Sequence, residues 1–157
     1  MKKIVLIDDD KEICNLLKTT LDRTGLYETF AAYNAKDGCA LCLKEKPDLV
    51  FLDYILLNEK GDEVINFLRS NAPTKDVFIV LMTGLGEMVY SPRNDKWQWL
   101  PNSPAVRNRG EIPESLKWKK LPEEVAREMG VDVYLTKPFN RTTLIELAES
   151  LLKDEEI

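Results

Sequence analysis

Four short apolar runs in the sequence each end on a residue able to handle a phosphate and its metal. IVLI leads into Asp8 and Asp9, DLVFL into Asp53, VFIVLM into Thr83, and VDVYLT into Lys137. Asp8, Asp9 and Asp53 together would form a three-carboxylate site, and like charges crowded into one place oppose burial unless a cation compensates. Magnesium suits such a set, because it prefers hard oxygen ligands, keeps several waters and commonly binds one or two carboxylates alongside a phosphate. The Thr83 hydroxyl and the Lys137 ammonium can each meet a phosphoryl oxygen as charge develops during transfer. Asp53 is then the candidate nucleophile, since a carboxylate can accept phosphate to form an acyl phosphate. Taken singly, these residues have plain structural explanations. Asp8 to Asp10 could cap a helix, and Lys137 before Pro138 could be an exposed turn residue. Their common place at the ends of apolar runs is what favours chemistry.

For the four groups to meet, the runs must be parallel strands of one sheet that share a carboxyl edge. Apolar runs of four to eight residues alternate here with helix-patterned stretches, the signature of βαβ units covered on both faces. Ligands of such open sheets bind in the crevice outside the strand carboxyl ends, where the chain order reverses. YETFAAY, with nothing chemical at its end, reads as an edge strand. Helices are expected from about Asp10 to Arg23, stopped by Gly25, and from about Ala35 to Lys46, broken by Pro47. Further helices are expected from near Gly61, over about Pro122 to Met129, and from the N-cap Asn140 through Leu152.

Length and composition predict one domain spanning residues 1–157, since 44% apolar content can close a single core. The net charge of -5, without a long basic run, argues against direct nucleic-acid binding. The chain has no histidine, which removes the usual catalytic triads and most zinc sites. MKKIVLIDDD meets three aspartates before it reaches signal-peptide or membrane-span length, so a cytoplasmic protein without membrane contact is expected. Cys14, Cys39 and Cys42 read as ordinary buried or half-buried thiols, although the last two form a CxxC.

One segment breaks the rhythm. Residues 86–120 show no sustained period and hold four of the eight prolines and all three tryptophans, Trp97, Trp99 and Trp118. Seven basic and four acidic side chains give this segment +3, against -8 for the remaining residues.

The motifs VLIDDD, PDLVFLDYILLNEKG, VLMTG and VYLTKPF, covering about residues 1–85 and 121–153, resemble those of response-regulator receiver domains. These are the phospho-acceptor modules of two-component signalling. The resemblance implies a flavodoxin-like fold: a doubly wound, five-stranded parallel sheet in the order 2-1-3-4-5, here with residues 86–120 inserted between strand 4 and helix 4. It implies Asp53 as the phosphorylated residue, and Asp8, Asp9, Asp53 and the backbone carbonyl of Ile55 as ligands of Mg2+, with Mn2+ able to substitute. Thr83 falls on the switch hydroxyl, Lys137 on the phosphoryl-binding lysine and Tyr134 on the switch aromatic. A cis peptide is expected before Pro138. Leu57 departs from the family, which usually has proline there.

The implied function is phospho-acceptance rather than enzymatic turnover of a separate substrate. Asp53 takes a phosphoryl group from a histidine kinase or phosphotransfer protein, and the surface of helix 4, strand 5 and helix 5 changes to control a downstream protein or another domain of a longer chain. No output domain follows the last helix, so a stand-alone receiver and a fragment of a larger regulator are both expected alternatives. The tryptophans of the insertion, with Tyr90, Arg107 and Arg109, match residue types enriched in interface hot spots. They suggest a partner-binding or homodimerising arm, or a flap over the site, as against an appendage packed back on the domain. Two other classes compete: a receiver-like interaction module independent of phosphorylation, and a magnesium-dependent aspartyl phosphatase of the haloacid dehalogenase type. The latter's first strand ends in Asp-x-Asp followed by Thr or Val, whereas this one ends in Asp8, Asp9, Asp10, Lys11.

Overall fold

Ile4, Val5, Leu6 and Ile7 are all fully buried, so the first strand is covered on both faces. A parallel sheet sandwiched between helices produces that pattern, because consecutive side chains point to opposite sides. In the computed structural model, which describes residues 1–53, 55–56, 59–83, 89–91, 96–98, 118–120, 130–136 and 140–153, strand and helix alternate as far as Asp53. They are β1 (Lys2–Ile7), α1 (Lys11–Asp22), β2 (Tyr27–Ala32), α2 (Ala35–Glu45), β3 (Leu49–Asp53), β4 (Ile55–Leu56), β5 (Glu59–Lys60) and α3 (Gly61–Ser70). After these come β6 (Phe78–Thr83), β7 (Val89–Ser91), β8 (Lys96–Gln98), β9 (Trp118–Lys120), β10 (Val133–Thr136) and α4 (Arg141–Leu152).

The main sheet runs β2-β1-β3-β6-β10-β9. The first five of these strands pair in parallel, and β2 lies at one edge. The sheet therefore has six strands, where five were expected. β9, the last three residues of the segment read as an insertion, pairs antiparallel with β10. The physical reason is that an edge strand presents a row of unpaired N–H and C=O groups, which a nearby extended segment can satisfy. Two smaller antiparallel pairs, β4 with β5 and β7 with β8, also went unforeseen. The helix expected over 122–129 lies outside the described residues.

Two apolar layers hold the sheet. On one face Cys14, Leu17 and Leu21 of α1 and Leu144, Leu147 and Ala148 of α4 pack on Ile4, Leu6, Phe51, Val80 and Leu135. On the other, Ala35 and Cys42 of α2 and Val64, Ile65 and Leu68 of α3 pack on Val5, Ile7, Leu52, Ile79 and Leu81. Alternate strand residues thus serve opposite layers, and the domain is doubly wound. Among the described residues no helix is long and apolar enough to cross a membrane.

Local signals set the helix ends. The Asp10 carboxylate accepts from the Glu12 and Ile13 amides, Asn34 accepts from Asp37, and Asn140 accepts from Thr143, each satisfying an orphan donor of a first turn. α2 ends on Lys46 in the left-handed region at φ 50°, immediately before Pro47. α2 also approaches β1 closely: a Cβ on Gly38 would lie 2.7 Å from Cδ1 of Ile7, so only glycine fits without displacing the residue that precedes Asp8.

Candidate functional site

β1 and β3 are neighbours in parallel register, with Ile7 opposite Leu52, so the residues that follow each arrive side by side at the carboxyl edge. Asp8 follows β1 and Asp53 closes β3. Carboxylate oxygens of Asp8, Asp9 and Asp53 all lie within 4.8 Å of one another. Asp8 is 1% exposed and Asp53 8%, while Asp9 faces solvent. Burying carboxylates this close is costly unless donors or a cation answer them.

Asp8 is held from several directions. Its backbone amide donates to the Ala32 carbonyl at 3.2 Å, tying it to the end of β2. Its Oδ1 accepts from the Asp10 amide at 2.9 Å, and the buried Cys14 thiol donates to its carbonyl at 3.4 Å. The three consecutive aspartates therefore divide their work. Asp8 and Asp9 offer oxygens to the site, whereas Asp10 caps α1 and steadies Asp8 through its own N–H. The Asp10 contact was legible in the DDD run, since Asp side chains commonly accept from the amide two residues on. No sequence signal pointed to Cys14, whose role depends on how α1 packs beneath β1.

The other expected groups are placed to different extents. Thr83 ends β6, whose Met82 lies opposite Asp53 in the register. Tyr134 lies in β10, two residues before Thr136, which is opposite Thr83. Ile55, two residues past Asp53, opens β4 and pairs with Lys60. The backbone thus brings Asp8, Asp9, Asp53 and Thr83 to one sheet edge. Lys137, Pro138 and Trp99 lie outside the described residues. Trp97 pairs with Tyr90 across β7 and β8, and Trp118 pairs with Leu135 at the far edge of the main sheet, so these two tryptophans belong to different sheets.

The carboxylate cluster fits a hard divalent cation. An octahedral ion with oxygens at about 2.1 Å places its ligands about 3 to 4 Å apart, near the observed spread. The donors are all oxygen, as magnesium requires.

Residues 4–94 match the family described as the response regulator receiver domain. The chain belongs to that family. Curated relatives agree: this receiver is 27% identical over 152 residues to the phosphate regulon transcriptional regulatory protein PhoB of Pseudomonas aeruginosa. The match takes in 97% of the receiver but 52% of the relative, so the chain spans about half the length of that protein. Solved structures share the fold. The chemotaxis protein CheY4 of Vibrio cholerae superposes with a TM-score of 0.68 at 20% identity, covering 97% of this chain and 99% of that one. A two-component response regulator from Clostridium difficile gives 0.67 at 24% identity, with both chains fully covered. Receivers are signalling domains of two-component systems, and they typically bind Mg2+ through acidic residues.

Proposed function

We propose that this receiver accepts a phosphoryl group on Asp53. The observation that carries the reading is the cluster of Asp8, Asp9 and Asp53 oxygens at the carboxyl edge of β1 and β3, beside the strand that ends in Thr83.

In this reading an Asp53 oxygen attacks phosphorus in line with the phosphohistidine nitrogen of a kinase or phosphotransfer protein. The P–N bond breaks, the imidazole leaves with the bonding pair, and an acyl phosphate forms on Asp53. Asp8, Asp9, Asp53 and the Ile55 carbonyl would hold Mg2+, which when bound neutralises charge on the transferring oxygens; Mn2+ offers the same preference for oxygen ligands. Lys137 gives its ammonium to a phosphoryl oxygen, and the Thr83 hydroxyl donates to another. The product adds roughly one and a half to two negative charges at a packed site. Thr83 responds to that charge and Tyr134 to the movement of Thr83, which alters the surface built on β10 and α4.

The partners are then a histidine kinase or phosphotransfer protein on one side and a target protein, or another domain of a longer chain, on the other. PhoB is called a transcriptional regulatory protein, so an output on transcription is a natural role for a longer chain that carries this receiver; the contacts proposed for residues 1–157 are with proteins. Trp97 and Trp99 are proposed as partner anchors, including anchors for a second copy of the chain. A cytoplasmic setting follows from the kinase partner.

Intact mass after incubation with Mg2+ and acetyl phosphate tests the assignment. A single phosphoryl adduct on the wild type, absent from Asp53→Asn and from samples in EDTA, is expected. No adduct from acetyl phosphate or from a phosphohistidine donor would refute it and leave a binding module independent of phosphorylation.

A further inference from the structure

We propose that β9 is a docking strand whose pairing with β10 is set by the phosphorylation state of Asp53, so that the inserted segment reports on the site. The inference rests on the assignment of Asp53 as phospho-acceptor. What motivates it is a ladder of registers across the sheet. Asp53 lies opposite Met82; the next residue of β6, Thr83, lies opposite Thr136; and the residue before that on β10, Leu135, lies opposite Trp118. β10 is therefore the single strand between β6, which ends in Thr83, and β9.

Direct electrostatics cannot carry the signal well. Three strand spacings of about 4.8 Å separate β3 from β9, roughly 14 Å, which exceeds the screening length of about 8 Å at physiological salt. Mechanical coupling through β10 is better placed. The amino end of β10 is pinned, because the Asp132 carboxylate accepts from the Ile79 amide at 2.8 Å and Arg69 donates to the Gly130 carbonyl at 2.9 Å. Displacement provoked at Thr83 is thus concentrated at the carboxyl end of β10, where β9 begins with Trp118. β9 has only three paired residues, and short edge ladders sit at the low end of local stability. A small shift of Leu135 and Thr136 is enough to make or break it. β9 closes the segment read as an insertion, so a change in its pairing reaches the chain that precedes it.

Hydrogen exchange on the full chain, with Mg2+ and beryllofluoride as the phosphoryl mimic, tests this. Peptides covering 118–120 and 133–136 should change exchange rate by roughly fivefold or more, the lower end of ordinary coupling between sites, and Asp53→Asn should abolish the change. Linkage is reciprocal, so weakening β9 must alter beryllofluoride affinity by a similar factor. Adjacent strand residues turn their N–H groups in opposite directions, so one of Lys119→Pro and Lys120→Pro must remove a bond to β10. If residues 49–53 become protected while 118–120 do not change, and both proline variants bind the mimic as the wild type does, the coupling is disproved and the Asp53 assignment stands. If neither the mimic nor a phosphohistidine donor modifies the site, the Asp53 assignment fails and the coupling falls with it.

Discussion

Arg69 and Asp132 meet at 3.2 Å although 63 positions separate them, and between them they join α3, β6 and the entry to β10. Arg69 also donates to the Gly130, Lys75 and Val77 carbonyls, at 2.9, 2.8 and 2.6 Å. Asp132 accepts in turn from the Ile79 amide. This clamp marks the entry to β10, at the end of the sheet opposite the carboxylates. The length of chain between β6 and β10 therefore does not loosen their register.

Replacing Arg69 should be expensive for a half-exposed residue. Arg69→Ala leaves three carbonyls without that donor, and a loss of about 2 to 3 kcal/mol is expected. Arg69→Lys should recover little of it, because a single ammonium cannot reproduce the guanidinium fork. Urea unfolding checks both: the midpoint should fall with an unchanged denaturant slope.

The carboxylate cluster predicts an inverse relation between stability and metal binding. In EDTA, Asp8→Asn and Asp53→Asn should each be more stable than the wild type, by on the order of 1 kcal/mol, since one of three crowded charges is gone. With Mg2+ at a hundred times its dissociation constant the wild type should gain about 2.7 kcal/mol, and the variants much less. Thermal unfolding with and without Mg2+ reads both effects; a wild type indifferent to the metal would contradict the site.

Asp10 separates capping from metal binding. Its carboxylate caps α1, but its contact with Asp8 runs through its own backbone N–H. Asp10→Ala should therefore cost about 1 kcal/mol of stability while keeping the shift caused by Mg2+. Losing that shift along with the stability would place Asp10 among the ligands.

Cys42 predicts an alkaline limit. Burial, with Cys39 beside it, pushes the thiol from its ordinary 9.0 up to about 12. Its folded pKa is raised, so the stability it contributes is whole below pH 9 and declines as pH rises through about 12, where the folded thiol itself ionises. At pH 10 the loss should be on the order of 1 kcal/mol, and Cys42→Ala should flatten the alkaline slope whatever its own cavity costs. Alkylation followed by mass spectrometry at pH 8 should label half-buried Cys39 ahead of Cys42 and the buried Cys14.

Much of this architecture was legible in sequence because it depends on local signals. Apolar runs such as IVLI and LVFL are buried on both faces, and that burial forces a parallel sheet with helices on either side. Asp10, Asn34 and Asn140 cap helices through bonds made within three residues. Asp8, Asp9, Asp53 and Thr83 could be nominated because the last position of a parallel strand always reaches the same edge.

Long-range pairing was not legible, because no period or cap encodes it. β9 is three residues long and lies in a segment without periodicity; what makes it a strand is the open edge of β10, which exists only once the sheet has formed. Cys14 beneath Asp8, and Arg69 reaching Gly130 and Asp132, likewise depend on how helices settle on the sheet. Which carboxylates reach the carboxyl edge could be read from the chain alone, since they follow directly on apolar runs that alternate with helices. The contacts that steady them and close the far edge arise with packing, because they join segments that meet only after the core has formed.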